Sequence, residues 1–124
     1  MILIAERDRS VRDLQLCFLN KAGFVVEFAD DGQRALDRMR LDPPALLITA
    51  ILIPKVDGLT LCRLVRGDAA LDGVPVIVFS ILAAAARAND AGAAAFLRKP
   101  LVESTFLAAI NGVMMNANAV VHAR

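Results

Sequence analysis

Glu6, Arg7, Ser80 and Lys99 are the side chains of this sequence best placed to do chemistry, because each stands where an apolar run gives way to polar residues. Gathered together, Arg7 and Lys99 could hold an anion while Ser80 donates a hydrogen bond to it. They would not make an enzyme, since no nucleophile and base pair converges anywhere in the pattern. A zinc site is equally out of reach. Cys17 and Cys62 are the only two cysteines, the single histidine is His122, and their spacing fits no metal site.

Short apolar runs and helical stripes must position these groups. Ile2 to Ala5 reads as a buried strand. Ser10 is the expected N-cap of a helix striped by Val11, Leu14, Cys17, Phe18 and Ala22 and stopped by Gly23. Phe24 to Ala29 forms a second strand, and Asp30-Asp31-Gly32 turns the chain into a helix bearing Ala35, Leu36 and Met39. Ala45 to Ile51 is unbroken apolar sequence, the mark of a central parallel strand. After a loop from Pro54 to Gly58, in which Asp57 serves the turn, Leu59, Cys62 and Val65 stripe a third helix ending at Gly67. Val74 to Phe79, the alanine-rich Ala83 to Ala91, and Ala94 to Leu97 give a strand, a helix and a strand. Phe106, Leu107 and Ile110 mark a fifth helix expected to fray beyond Asn116.

Five strands alternating with five helices imply an α/β fold with a parallel sheet covered on both faces. Right-handed crossovers favour the flavodoxin-like three-layer sandwich with strand order 2-1-3-4-5. Its ligand chemistry belongs beyond the carboxyl ends of the first and third strands. Those ends deliver Glu6, Arg7 and Ala50, flanked by Ser80 and Lys99.

Bulk composition agrees and excludes other classes. The 124 residues suit one domain, and a 57% apolar content suits a sheet buried on both sides. Net charge is +1, with 14 basic and 13 acidic residues and no block of one sign, so no nucleic-acid partner is expected. Tryptophan and tyrosine are absent, which removes a base-stacking platform. The start is too quickly charged for a signal peptide, and no apolar stretch reaches bilayer length. A cytoplasmic protein with no membrane partner and two buried, reduced thiols is the expectation.

At these same positions the sequence resembles the receiver domain of response regulators, from Ile2 to about Ile110. The apolar first strand with acid after it, "ADDGQRAL" from Ala29, "PALLITAILIPKVDGLTLCRLVR" from Pro44, "VPVIVFS" from Val74, "AGAAAF" from Ala91 and "LRKP" from Leu97 fall in the family's order. The resemblance implies a CheY-like fold, with residues 1–116 as the receiver-like domain and 117–124 as a tail or the start of a linker. Receivers take a phosphoryl group onto an aspartate at the end of the third strand, and by position that residue is Ala50. The acidic pair corresponds to Glu6 and Arg7, the hydroxyl and aromatic switch residues to Ser80 and Phe96, and the lysine to Lys99. The Lys99-Pro100 bond looks like the family's cis peptide.

The resemblance therefore implies a degenerate member. Alanine offers no oxygen to attack with, and the direct magnesium carboxylates fall at Arg7 and Ala50, so both the acceptor and the Mg2+ cofactor are expected to be lost. Three carboxylates around a lysine carry about −2, whereas Glu6, Arg7 and Lys99 carry about +1, which repels a divalent ion. Arg7 is expected to fill the vacated metal space and pair with Glu6, while Lys99 turns to Glu6, Asp8, a carbonyl or an anion. Structural roles are expected for Ser80 and Phe96, and Thr49 should face away from position 50.

Function should then come from surfaces. A phosphorylation-independent receiver would contact a signalling partner, or a second copy, through its fourth helix, fifth strand and fifth helix. The interval from Ser80 to Lys99 is shorter than the family pattern by about one helical turn. Two alternatives stand beside this. One is an ordinary receiver silenced by an engineered Asp-to-Ala change at position 50, against which Arg7 counts, since one substitution suffices for silencing. The other is a receiver that senses an anion or small molecule through Arg7, Ser80 and Lys99.

Overall fold

The computed structural model describes residues 1–122, with side chains through Asn116. Its five strands are β1 (Ile2–Ala5), β2 (Val26–Ala29), β3 (Leu46–Thr49), β4 (Val76–Ser80) and β5 (Ala95–Arg98). They form one parallel sheet in the order β2-β1-β3-β4-β5. Between and after them come α1 (Arg9–Lys21), α2 (Gly32–Leu41), α3 (Gly58–Gly67), a 3-10 turn (Ala69–Leu71), α4 (Ala85–Asp90) and α5 (Glu103–His122).

Alternation along each strand divides the core in two. Leu3, Ala5, Leu47, Val76 and Val78 face Leu36 and Met39 of α2, Leu61 and Val65 of α3, and Ala88 of α4. Ile2, Ile4, Leu46, Ile48, Ile77 and Phe79 face Leu19 of α1 and Phe106, Ile110 and Val113 of α5. Burying each large aliphatic side chain contributes about 1.5–3 kcal/mol, so both faces of the sheet are strongly specified. The expected architecture and strand order are the observed ones.

Several local readings need correction. Asp8, not Ser10, caps α1, because its carboxylate accepts the N–H groups of Ser10 and Val11. The buried residues of that helix are Gln15 and Leu19, while Leu14 is 48% exposed and Cys17 is exposed. A polar Gln15 on the inner face hid the true stripe, so one thiol is surface rather than core. Cys62 is buried as expected, and burial pushes its thiol pKa up.

Strand β2 starts at Val26 because Phe24 N–H donates to the Leu19 carbonyl, finishing α1 around Gly23 at φ +88°. The 3-10 turn, capped by Asp68, takes up chain that delays β4 to Val76. Helix α4 is only six residues long, and its N-cap Ala84 has no side chain to cap it. Backbone helix in α5 continues to His122, past the point at Asn116 where fraying was expected. The side chain of His122 lies outside the described residues. Among them, no helix is long and apolar enough to cross a membrane.

Candidate functional site

The carboxyl edge of the sheet gathers the residues singled out above. Glu6 follows β1, Ala50 follows β3, Ser80 ends β4 and Lys99 follows β5. Together with Arg7, Asp8 and the apolar Leu52 and Ile81 they line an open cleft of about 450 Å³.

Ala50 sits at the floor, 7% exposed. Its N–H donates to the Ala5 carbonyl at 2.9 Å, which continues the β1–β3 ladder one step beyond the strand. Its carbonyl accepts the Thr49 hydroxyl at 2.8 Å. Thr49 is thus buried and occupied, and contributes nothing to the cleft. The start of α3 closes against the same place. A Cβ on Gly58 would lie 1.9 Å from the Ala50 carbonyl oxygen, and Gly58 N–H donates to the Ile51 carbonyl at 2.9 Å. Asp57 then caps α3 through Leu59 and Thr60 N–H, a firmer role than the turn expected of it.

Glu6 is 3% exposed, and its two oxygens have different fates. Oε2 accepts the backbone N–H groups of Arg7 at 3.0 Å and Asp8 at 3.2 Å. Oε1 lies 3.3 Å from Lys99 Nζ, an ion pair without hydrogen-bond alignment, and has no other partner. The Lys99 ammonium also stands over the Phe79 ring, 5.4 Å from its centroid. Of the partners expected for Lys99, the structure selects Glu6.

Arg7 departs from expectation. Its side chain is exposed at the mouth of the cleft, and among the described residues it forms no ion pair. Glu6 Oε2 is engaged by its own loop and Oε1 faces Lys99, and the Arg7 side chain stays outside. A residue the sequence reading overlooked clamps the backbone of this loop instead: Arg12 donates its Nε to the Glu6 carbonyl and another N–H to Asp30, and lies over the Phe28 ring. Its place about one turn into an amphipathic helix was the only available signal.

Asp8 is committed to the start of α1. Bonds from the Ser10 hydroxyl at 2.6 Å and from Val11 and Ser10 N–H hold its carboxyl below the ordinary 3.8, with help from the Lys99 charge. Ser80 is 3% exposed and its Oγ accepts the Leu82 N–H at 3.2 Å. Phe96 is half-buried against the core, and the Lys99-Pro100 peptide is cis as expected. Pro100 and Phe96 border a second groove of about 270 Å³ with Leu97, Leu101 and Val102, beside α5. Among the described residues, no three His, Cys, Asp or Glu side chains gather as metal ligands would.

Comparison with known proteins places this geometry. Residues 2–111 match the family model of the response regulator receiver domain. Response regulator MprA of Mycobacterium tuberculosis (strain ATCC 25177 / H37Ra) is 34% identical over 116 residues, covering 91% of this chain and 50% of that protein. The chain spans about half the length of the curated relatives it matches. Among solved structures, the signal receiver domain of a signal transduction histidine kinase from Syntrophus aciditrophicus is similar at 28% identity and TM-score 0.86, covering 93% of this chain and 89% of that one. Chemotaxis response regulator CheY4 of Vibrio cholerae shares the fold at 23% identity and TM-score 0.84, covering 90% and 96%. The chain belongs to the response regulator receiver domain family of two-component signalling.

Proposed function

We propose that this receiver domain does not accept a phosphoryl group and acts in the cytoplasm by contacting other proteins, independently of phosphorylation and without enzymatic activity. The observation that carries the reading is the methyl group of Ala50 at the tip of β3, where the resemblance puts the acceptor carboxylate. Phosphoryl transfer needs a nucleophile, a divalent ion and a cation on the phosphate oxygens. An alanine side chain cannot attack.

The residues present do not fit a divalent ion either. Magnesium takes hard oxygen ligands in near-octahedral array. Glu6 Oε2 is engaged by two backbone N–H groups, Glu6 Oε1 faces an ammonium, and Asp8 is engaged in capping. Ala50 adds no side-chain oxygen, and Arg7 brings a positive charge to the rim. Glu6 and Asp8 are balanced by Arg7 and Lys99, so the cleft lacks the negative charge that attracts a divalent ion. The third requirement is also weakened, because Lys99 is held by Glu6.

Contacts with a signalling partner or a second copy would fall on α4, β5 and α5. The half-buried Phe96, Leu97 and Leu101 beside the 52%-exposed Val102 support that choice. The test of lost phosphorylation uses the native chain, Ala50→Asp, and Arg7→Asp combined with Ala50→Asp. Each is incubated with acetyl phosphate and magnesium, and its intact mass is measured. Only the double variant should gain a phosphoryl group. Ready phosphorylation of Ala50→Asp with Arg7 retained would mean that the metal site is natively intact.

A further inference from the structure

We propose that the cleft above Ala50 binds a small monoanion with an apolar body, a carboxylate carried on an aromatic ring or branched alkyl group. The proposal rests on the reading that metal and phosphoryl chemistry is absent from this site. Three features carry it, and each concerns what the cleft offers a ligand.

The first is the wall. Val11, Ala50, Ile51, Leu52 and Ile81 give the cleft a mainly apolar lining. Leu52 and Ile81 stand 65% and 60% exposed at its rim. A ligand that covers them removes apolar surface from water, which is favourable. A volume of about 450 Å³ is that of a small-molecule site.

The second is the one cation of the cleft that is not committed to an internal ion pair. Lys99 and Glu6 face each other at 3.3 Å, and Asp8 is consumed at the start of α1. Arg7 remains, a cation lining the cleft with no ion-pair partner among the described residues. Its planar fork matches a carboxylate bidentately. The third is what the site lacks. Ser80 is 3% exposed and Lys99 is turned to Glu6, so the accessible donors are too few for a compact, strongly hydrated dianion such as inorganic phosphate. One free guanidinium beside a greasy wall selects for one charge and an apolar remainder.

The experiment titrates the 15N-labelled protein with phenylacetate and follows its amide resonances by NMR. Acetate, inorganic phosphate and the neutral isostere phenylacetamide are run in parallel. Phenylacetate should shift the amides of Arg7, Ile51, Leu52 and Ile81, and bind at least about tenfold more tightly than any of the other three. Arg7→Ala, at an exposed position, should reduce phenylacetate to the level of phenylacetamide, and Ile81→Ser should weaken both. Silence up to about 10 mM, equal binding of phenylacetamide, or an Arg7→Ala variant that binds as well as the native chain would each overturn the proposal. Magnesium alone is added to a separate sample. Saturable magnesium shifts at Glu6 and Ala50 would contradict the lost metal site, whereas silence toward both magnesium and phenylacetate would end the ligand proposal and leave that reading in place.

Discussion

The ion pair between Glu6 and Lys99 organises the site at the level of single residues. Glu6 is almost fully buried and Lys99 is 20% exposed at its side chain, so neither can exchange its partner for bulk water without movement. Glu6→Gln should destabilise the fold by about 1–3 kcal/mol, because it leaves an ammonium facing a neutral amide in a shielded place. Urea unfolding checks this, and an unchanged midpoint would show that Lys99 is free to leave. The sequence named Glu6 only as one of several partners for Lys99, beside Asp8, a carbonyl or an anion, and the structure selects it. The outward course of Arg7 was not legible, because it depends on backbone N–H groups that satisfy Glu6 first. Such groups carry no signature in residue type.

Asp57 gives a second prediction at this scale. Burial raises its pKa, but Thr60 N–H, the Thr60 hydroxyl and Leu59 N–H outweigh that and hold it below the ordinary 3.8. A depressed folded-state value means its stabilisation is full above the unfolded pKa near 3.8 and is lost as pH falls through the lower folded value. Asp57→Ala should cost about 1 kcal/mol at neutral pH. Asp57→Asn should keep most of the cap and flatten the acid limb of the stability curve. Unfolding midpoints of the three proteins at neutral and acid pH decide it, and equal acid sensitivity in all three would contradict the assignment.

Elements position the site through a close approach that a side chain cannot make. The start of α3 presses on the end of β3 at Gly58, where a methyl group would meet the Ala50 carbonyl at 1.9 Å. Gly58→Ala should therefore cost about 1–3 kcal/mol, read as a fall in Tm, and should shift the amides of Ala50 and Ile51. A neutral effect would mean that the loop from Ile51 to Asp57 yields easily. Elements with long apolar periods were readable from residue types alone. The run from Ala45 to Ile51 announced β3, observed at Leu46–Thr49, and the Leu59, Cys62 and Val65 stripe announced α3. Boundaries set by local hydrogen bonds were not readable. The cap shifted from Ser10 to Asp8, and the inner face of α1 turned toward Gln15, whose Oε1 is buried without a partner. A polar residue on a core face defeats any reading by hydrophobic period.

For the whole molecule, the fold was legible because strand and helix alternate and right-handed crossovers leave few windings. At the site, the sequence supplies only the proposed loss of chemistry, argued by setting Ala50 and Arg7 against the family pattern. Arg12 clamping the first loop and the apolar rim of Leu52 and Ile81 emerge only in three dimensions. At this scale the α4–β5–α5 face should mediate association. The native chain should self-associate in sedimentation equilibrium, and Val102→Glu should weaken that about tenfold. A strict monomer in both cases would remove the second copy as the occupant of that face.

Beryllofluoride with magnesium, added to the native protein and followed by 19F NMR, tests the central claim most directly. No protein-bound fluoride signal should appear, and the tip of β3 should stay unchanged. A saturable bound signal that vanishes when magnesium is chelated would contradict it.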